Sequence, residues 1–293
     1  MLFSFGILFG VSYLGWQKIS QTQASKPANL PAENLRFLRT NHQGIETTDG
    51  VNYVVIFDPK SPALDFKVSV GLAHPLYTKT SDGTQAKEYV PKRFREIIAD
   101  ENAKLNGKSP IVAINADYID SSNNPQGLNI SRGWDYAGEF QAQRSSFGIS
   151  GGVPSQRQAT IQIGKRTEPN LNFNVVGGNG RFYRNGKFKD ICQDLGTYAC
   201  KQETQRSLVA ITAKGYVILL VNNQKAQQAN DPQVLYPNQF DKVLSGIATQ
   251  FKLGQIQEGM LFDGGQSAGL AVNGKIEVEN QNSIGSVFLI YQQ

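Results

Sequence analysis

Residues 239–278 read QFDKVLSGIATQFKLGQIQEGMLFDGGQSAGLAVNGKIEV. Phe240, Val243, Leu244, Ile247, Ala248 and Phe251 recur at i, i+3, i+4 and i+7, which places them on one face of a helix. Asn238 is positioned to cap that helix and Gly254 to end it. An apolar run ending at Leu261-Phe262 then meets Asp263, Gly264, Gly265, Gln266, Ser267 and a third glycine before the next apolar run opens at Leu270. A tight connection needs far less flexibility, which leaves two readings of this segment, a turn or a site. Asn273-Gly274 within LAVNGKIEV follows, the signal of a two-residue hairpin.

The rest of the chain repeats the strand pattern more often than the helical one. VNYVVIF (51–57) is β-branched and aromatic and stops at Asp58-Pro59, while LDFKVSVGL alternates Leu64, Phe66, Val68 and Val70 on one face. IVAIN (111–115), ATIQI (159–163), SLVAIT (207–212) and GYVILLV (215–221) are further strands, and Asn185-Gly186 marks a second hairpin. One more helix is expected between Tyr89 and Leu105, with Val90, Phe94, Ile97, Ile98 and Leu105 near helical spacing among charged residues. Many strands and few helices predict an α+β fold of mixed or mostly antiparallel sheets with a few flanking helices.

With 293 residues, of which 40% are hydrophobic, the chain can bury a substantial core. The net charge of +5 is spread along the chain with no basic run, which argues against nucleic acid as a partner. Two histidines, His42 and His74, and two cysteines make no cluster at zinc spacing, so neither a metal nor a cofactor is expected. The start, MLFSFGILFGVSYLGWQKIS, is apolar from Leu2 to Trp16 apart from serines and a tyrosine. It falls short of the roughly 20 residues of a comfortable spanning helix and is nearer the length of a signal-peptide core. Residues 1–24 are therefore read as a signal peptide or a membrane anchor, the only membrane association expected. Residues 25–34 form a linker, 35–110 an N-terminal extension of the main domain, and 111–293 the domain itself. The protein is expected to be exported: periplasmic, extracellular or anchored by residues 1–20. In an oxidising compartment Cys192 and Cys200, which flank a short polar segment, are expected to form a disulfide.

Polar residues gather in five places where apolar strands end or begin. INADYID (114–120) puts Asn115 and Asp117 after a strand; Gly127, Gly133 and Arg132 follow in NPQGLNISRG, where Arg132 is suited to an anion. VVGGNGRFYRNG is the third, Arg206 before SLVAIT the fourth, and Asp263-Gly264-Gly265-Gln266-Ser267 the fifth. Each alone reads as a turn or a strand-edge charge.

Their order resembles the phosphodiester glycosidase family over roughly residues 110–291. Asn115-Ala116-Asp117-Tyr118-Ile119 stands for that family's Asn-Gly-Gly-Tyr-Phe, Gly127-Leu128-Asn129-Ile130 for its Gly-aliphatic segment, and Phe147-Gly148-Ile149 for its Phe-Gly-Ile strand. Gly177-Gly178 through Asn185-Gly186 stands for the Gly-rich hairpin and Arg206-Ser207 for an Arg-Thr; Phe262 to Ala268 stands for Leu-Asp-Gly-Gly-Gly-Ser-Ser. Ala116 and Asp117 replace two glycines, Gln266 a third, and Ala268 a serine.

The resemblance implies a hydrolase acting on a sugar-1-phosphodiester or related glycosidic bond of envelope or extracellular polysaccharide. Arg206 would hold the phosphate, Asp263 would meet the positive charge that develops at the anomeric carbon, and Asn115 would complete the catalytic set. Asn115 and Ser267 would orient hydroxyls or phosphate, while Gly264 and Gly265 bring backbone N–H groups near an anion. Asp117 has three open readings: the second carboxylate of an acid/base pair, a cation ligand with Asp263, or the cap of a turn. The alternative is a non-catalytic carbohydrate-binding or exopolysaccharide-handling protein of the same fold.

Overall fold

The computed structural model describes residues 35–70, 76–79, 85–88, 92–104, 108–121, 125–136, 143–164, 166, 168–189, 191, 204–225, 227, 231–279 and 281–293. The apolar start and the Cys192–Cys200 pair lie outside these. Among the described residues no helix is long and apolar enough to cross a membrane.

Three sheets carry the fold. A seven-stranded sheet runs in the order Leu35–Thr40, Asn52–Phe57, Val217–Asn222, Arg206–Thr212, Ile256–Leu261, Asn179–Arg184, Lys187–Phe188. One five-stranded sheet is ordered Lys275–Val278, Leu270–Val272, Val112–Asn115, Val287–Gln292, Leu64–Ser69, and a second Ala159–Ile163, Ser145–Ile149, Asn174–Gly177, Ile130–Ser131, Trp134–Asp135. Every strand pairing among the described residues is antiparallel. The architecture is thus α+β in the broad sense but dominated by sheet, with two α-helices among the described residues: α1 (Phe94–Lys104) and α2 (Phe240–Gln250).

Layering follows from strand alternation. Val55, Val209, Leu219 and Val221 point from the seven-stranded sheet into a core shared with Phe66, Ile114, Phe147, Phe262, Leu270 and Phe288. Val54, Leu208, Ala210, Ile218 and Leu220 face the other way, against Phe240, Val243, Leu244 and Ile247 of α2. Helix α1 covers the outer face of a five-stranded sheet, with Phe94, Ile97 and Ile98 against Ala113, Ala271, Val287 and Leu289. Strands buried on both faces read as unbroken apolar runs, which is why VILLVN shows no period of two. A buried carboxylate lies beneath α1: Glu101, 1% exposed, takes bonds from the Lys67 ammonium, from Ser69 Oγ at 3.0 Å and from the Tyr291 hydroxyl at 3.3 Å.

Local details refine the sequence reading. Helix α1 begins at Phe94, because Lys92–Arg93 is taken by a short strand paired with Ser283–Ile284. Helix α2 follows a 3₁₀ turn, Pro237–Gln239, and Asn238 does not cap it; the Gln239 side chain instead accepts the Tyr236 N–H at 2.9 Å. Both Asn-Gly hairpins form as expected, with φ of 50° and 74° at Asn185-Gly186 and 51° and 76° at Asn273-Gly274. Residues 35–69 supply two strands at one edge of the seven-stranded sheet and one strand, Leu64–Ser69, beside Val287–Gln292.

Candidate functional site

Three chain segments are stitched together where strands of different sheets end. The segment 262–269 leaves the seven-stranded sheet at Leu261 and enters a five-stranded one at Leu270. Its Phe262 N–H donates to Ser207 O at 2.9 Å and its Asp263 N–H to Ala116 O at 2.7 Å, so it is tied to both sheets. Asn115, wholly buried at the end of its strand, fixes the same segment twice: Nδ2 donates to Asp263 O at 2.7 Å and Oδ1 accepts the Gly269 N–H at 3.0 Å.

Asp263 projects from this frame half-buried. Its carboxylate is bonded by the Ser267 hydroxyl and the Gly264 N–H. Burial raises its pKa to about 6, and the charge of Asp117 pushes the same way; Ser267, Gly264 and the charge of Arg144 oppose the rise. Gly264 serves close packing and Gly265 a left-handed backbone. A Cβ at Gly264 would stand 2.8 Å from Gln205 O, and Gly265, at φ +57°, donates its N–H to that same carbonyl at 2.9 Å.

Asp117 lies inside the site with no exposure at all. Oδ1 accepts the Tyr118 N–H at 2.8 Å, and Oδ2 accepts the Gly127 N–H and Asn129 Nδ2, each at 2.7 Å. Glycine surrounds it: a Cβ at Gly177 would come within 2.5 Å of Asp117 Cγ, and one at Gly127 within 3.0 Å of Oδ1. Burial lifts its pKa to about 6 against the pull of Asn129, Gly127, Arg144 and Tyr118. Its oxygens therefore tie Tyr118 to Gly127 and Asn129.

Tyr118 and Arg144 join the expected residues; the sequence places Tyr118 in the Asn115–Ile119 motif without giving it a role, and does not single out Arg144. The Tyr118 hydroxyl donates to Phe262 O at 3.0 Å, and the Arg144 guanidinium stacks over its ring, 4.9 Å from the centroid. Arg144 also donates to Gln126 Oε1. Arg206, 5% exposed at the start of its strand, feels the Tyr118 hydroxyl, and burial lowers its pKa. Burial and the charges of Asp263 and Asp117 raise the Tyr118 phenol, while Arg144 and Arg206 lower it. A signal for Arg144 existed: Gln143-Arg144-Ser145 opens the SSFGI strand just as Gln205-Arg206-Ser207 opens the SLVAIT strand.

Asn115, Asp117, Arg206, Asp263, Gly264, Gly265 and Ser267 are thus brought together; Arg132 is not. Arg132 sits at φ +50° in a turn and pairs with Asp65 on the surface, about half exposed. Among the described residues no three His, Cys, Asp or Glu side chains converge as metal ligands. A cavity of about 500 Å³ lined by Tyr183, Lys214, Ser245, Thr249, Lys252 and Gln255 opens at the opposite end of strands Arg206–Thr212 and Ile256–Leu261, away from these acids. What the cluster offers chemically is an oriented carboxylate with a raised pKa beside guanidinium groups, an arrangement suited to a substrate that carries an anion and develops positive charge elsewhere.

The model of one family, described as phosphodiester glycosidase, matches residues 108–291. No curated protein matches the sequence. Among solved structures, a hypothetical protein from Synechocystis aligns with a TM-score of 0.57 at 14% identity, over 89% of this chain and 63% of that one. This chain therefore spans less than two thirds of that relative. The catalytic domain of zebrafish N-acetylglucosamine-1-phosphodiester α-N-acetylglucosaminidase, auto-inhibited by its pro-peptide, gives 0.51 at 14% identity over 89% of each chain. A protein from Burkholderia pseudomallei described as exported gives 0.50 at 9% identity, over 82% of this chain and 73% of that one. At such identities the likeness is one of fold.

Proposed function

The chain belongs to the phosphodiester glycosidase family, and from that premise we propose that it is an exported hydrolase that cleaves a sugar-1-phosphodiester or related glycosidic bond in envelope or extracellular polysaccharide. The observation that carries this reading is the Asp263 carboxylate, held by Ser267 and Gly264 in a strand-end cluster that also contains Arg206. Breaking the anomeric C–O bond leaves positive charge on the sugar and a phosphate that departs as a good anion and needs little protonation. Asp263 meets the positive charge, as nucleophile or as base on water. Arg206 holds the phosphate with charge-assisted hydrogen bonds. Ser267 orients Asp263, and Asn115 fixes the segment that carries it. Export is supported by the apolar run Leu2–Trp16 and by the exported fold relative; residues 1–24 then act as a signal peptide or anchor, and Cys192 and Cys200 form a bridge.

The test is sugar release from a panel of sugar-1-phosphodiesters and plain glycosides by the full chain, beside Asp263→Asn and Arg206→Ala. Turnover of phosphodiesters lost in both variants supports the assignment. A specific feature favours a second reading, a carbohydrate-binding descendant without turnover: the Asp117 side chain fills space where the family pattern has glycine. Saturable sugar binding with no turnover on any substrate would select that reading.

A further inference from the structure

Arg144 and Arg206 enter the site from different sheets, Arg144 immediately before strand Ser145–Ile149 and Arg206 as the first residue of its own. Tyr118 is common to both: the Arg144 guanidinium stacks on its ring, and the charges of Arg144 and Arg206 both act on its hydroxyl. Arg144 is held in place from two sides. Its guanidinium stacks on the Tyr118 ring and donates to Gln126 Oε1. Gln126 is itself fixed, its N–H donating to Tyr118 O at 3.0 Å and its Nε2 to Ile119 O at 2.7 Å. A guanidinium ordered in this way loses little further freedom on binding a ligand. Arg144 is only half-buried, whereas Arg206 is buried, so Arg144 stands nearer the solvent side of the cluster.

Counting charge gives the role. A phosphodiester placed beside ionised Asp263 and Asp117 puts three negative charges in a desolvated site, and Arg206 offsets one of them. Arg144 is the cation whose charge acts on both Asp263 and Asp117. We propose that Arg144 is a second phosphate-binding residue of this site, gripping the anion together with Arg206 and selecting phosphodiesters over neutral glycosides. The substrate in this inference rests on the hydrolase reading; the anion site does not.

The experiment is calorimetric titration of the full chain and of Arg144→Gln and Arg144→Lys with inorganic phosphate, a sugar-1-phosphodiester and the corresponding neutral sugar. Arg144→Gln is expected to weaken both phosphate ligands about 10- to 100-fold and to leave neutral-sugar affinity unchanged. Arg144→Lys, which keeps the charge but loses the planar fork, should fall between. Unchanged phosphate affinity in either variant, equal loss of neutral sugar and phosphate, or no saturable phosphate binding by the wild type overturns the proposal. Kinetics separate it from the hydrolase reading. Absence of turnover with Arg144-dependent phosphate binding sinks only that reading, while turnover with an unchanged KM in Arg144→Gln sinks only this one.

Discussion

The Asn115 side chain spans the segment that carries Asp263, bonding the Asp263 carbonyl at 2.7 Å through Nδ2 and the Gly269 N–H at 3.0 Å through Oδ1. The amide thereby fixes both ends of a glycine-containing turn from inside the core, and Asp263 inherits its position from a residue on another sheet. Asn115 is thus a positioning residue in this geometry, and a hydroxyl of substrate would have to share an amide already engaged at both ends.

Asn115→Ala leaves a carbonyl and an N–H buried without that partner. A stability loss of about 2–4 kcal/mol is expected by chemical denaturation, together with a drop in turnover of roughly 100-fold from displacement of Asp263. Asn115→Asp, which keeps the acceptor but not the donor, should retain the Gly269 bond and lose the Asp263 one.

The raised acids set a pH dependence. A reaction that uses ionised Asp263 should lose rate as pH falls through about 6, well above the usual carboxylate range. Asp117→Asn removes a like charge, so the acid limb of kcat/KM should move to lower pH by roughly half a unit to one unit. Stability runs in the opposite sense. Each folded acid binds its proton more tightly than the unfolded chain does, so between about pH 4 and pH 6 the native state holds more protons. Stability from these two groups is full below about pH 4 and declines as pH rises to about 6, by about 3 kcal/mol for wholly buried Asp117 and less for half-buried Asp263, roughly 4–6 kcal/mol in total. Melting temperatures at pH 4.5 and pH 7, compared between wild type and Asp263→Asn, would expose this slope as a smaller difference in the variant, roughly halved.

Gly177 and Asp117 should be coupled. A methyl at Gly177 would press on the Asp117 carboxyl at 2.5 Å, so Gly177→Ala should cost about 3 kcal/mol or more. Asp117→Gly alone strands the donors of Tyr118, Gly127 and Asn129 and should cost about 2–3 kcal/mol. In the double variant the methyl has room, and urea denaturation should show a loss smaller than the sum by about 1–3 kcal/mol. Strict additivity would mean that the contact carries no energy.

Under α1, Glu101 binds Lys67, Ser69 and Tyr291 from a buried position. Glu101→Ala should destabilise by about 3–5 kcal/mol, since it leaves a lysine without its carboxylate. Glu101→Gln should cost less, and neither should change the pH of the acid limb, because Glu101 bonds Lys67, Ser69 and Tyr291 and neither Asp263 nor Asp117.

Helix α2 and both Asn-Gly hairpins were legible in the sequence because each rests on short-range rules: an apolar stripe at helical spacing, and two residues that accept positive φ. The strands were legible as elements, but their partners were not. Nothing local in LDFKVSV shows that it pairs with Val287–Gln292, over two hundred residues away. Asn115, Arg206 and Asp263 could be picked out because polar residues interrupt apolar runs there, and Asp117 for the same reason. Arg132 satisfied that criterion equally well and lies on the surface with Asp65, since a strand end beside glycine is also what an ordinary turn looks like. Arg144 lay outside the polar knots. Its membership depends on the ring of Tyr118 and on Gln126, contacts that only the packed sheets create.

The segment that bears Asp263 has three glycines, yet most of its amides are engaged within the protein. The N–H groups of Phe262, Asp263, Gly265, Ser267 and Ala268 go to backbone carbonyls, and that of Gly269 to Asn115. Such amides exchange with solvent on the timescale of the surrounding core, so this turn behaves as part of the rigid scaffold and does not act as a closing lid. Selection among substrates then falls to the groups around a fixed carboxylate, and a ligand that fits finds Asp263 already in place.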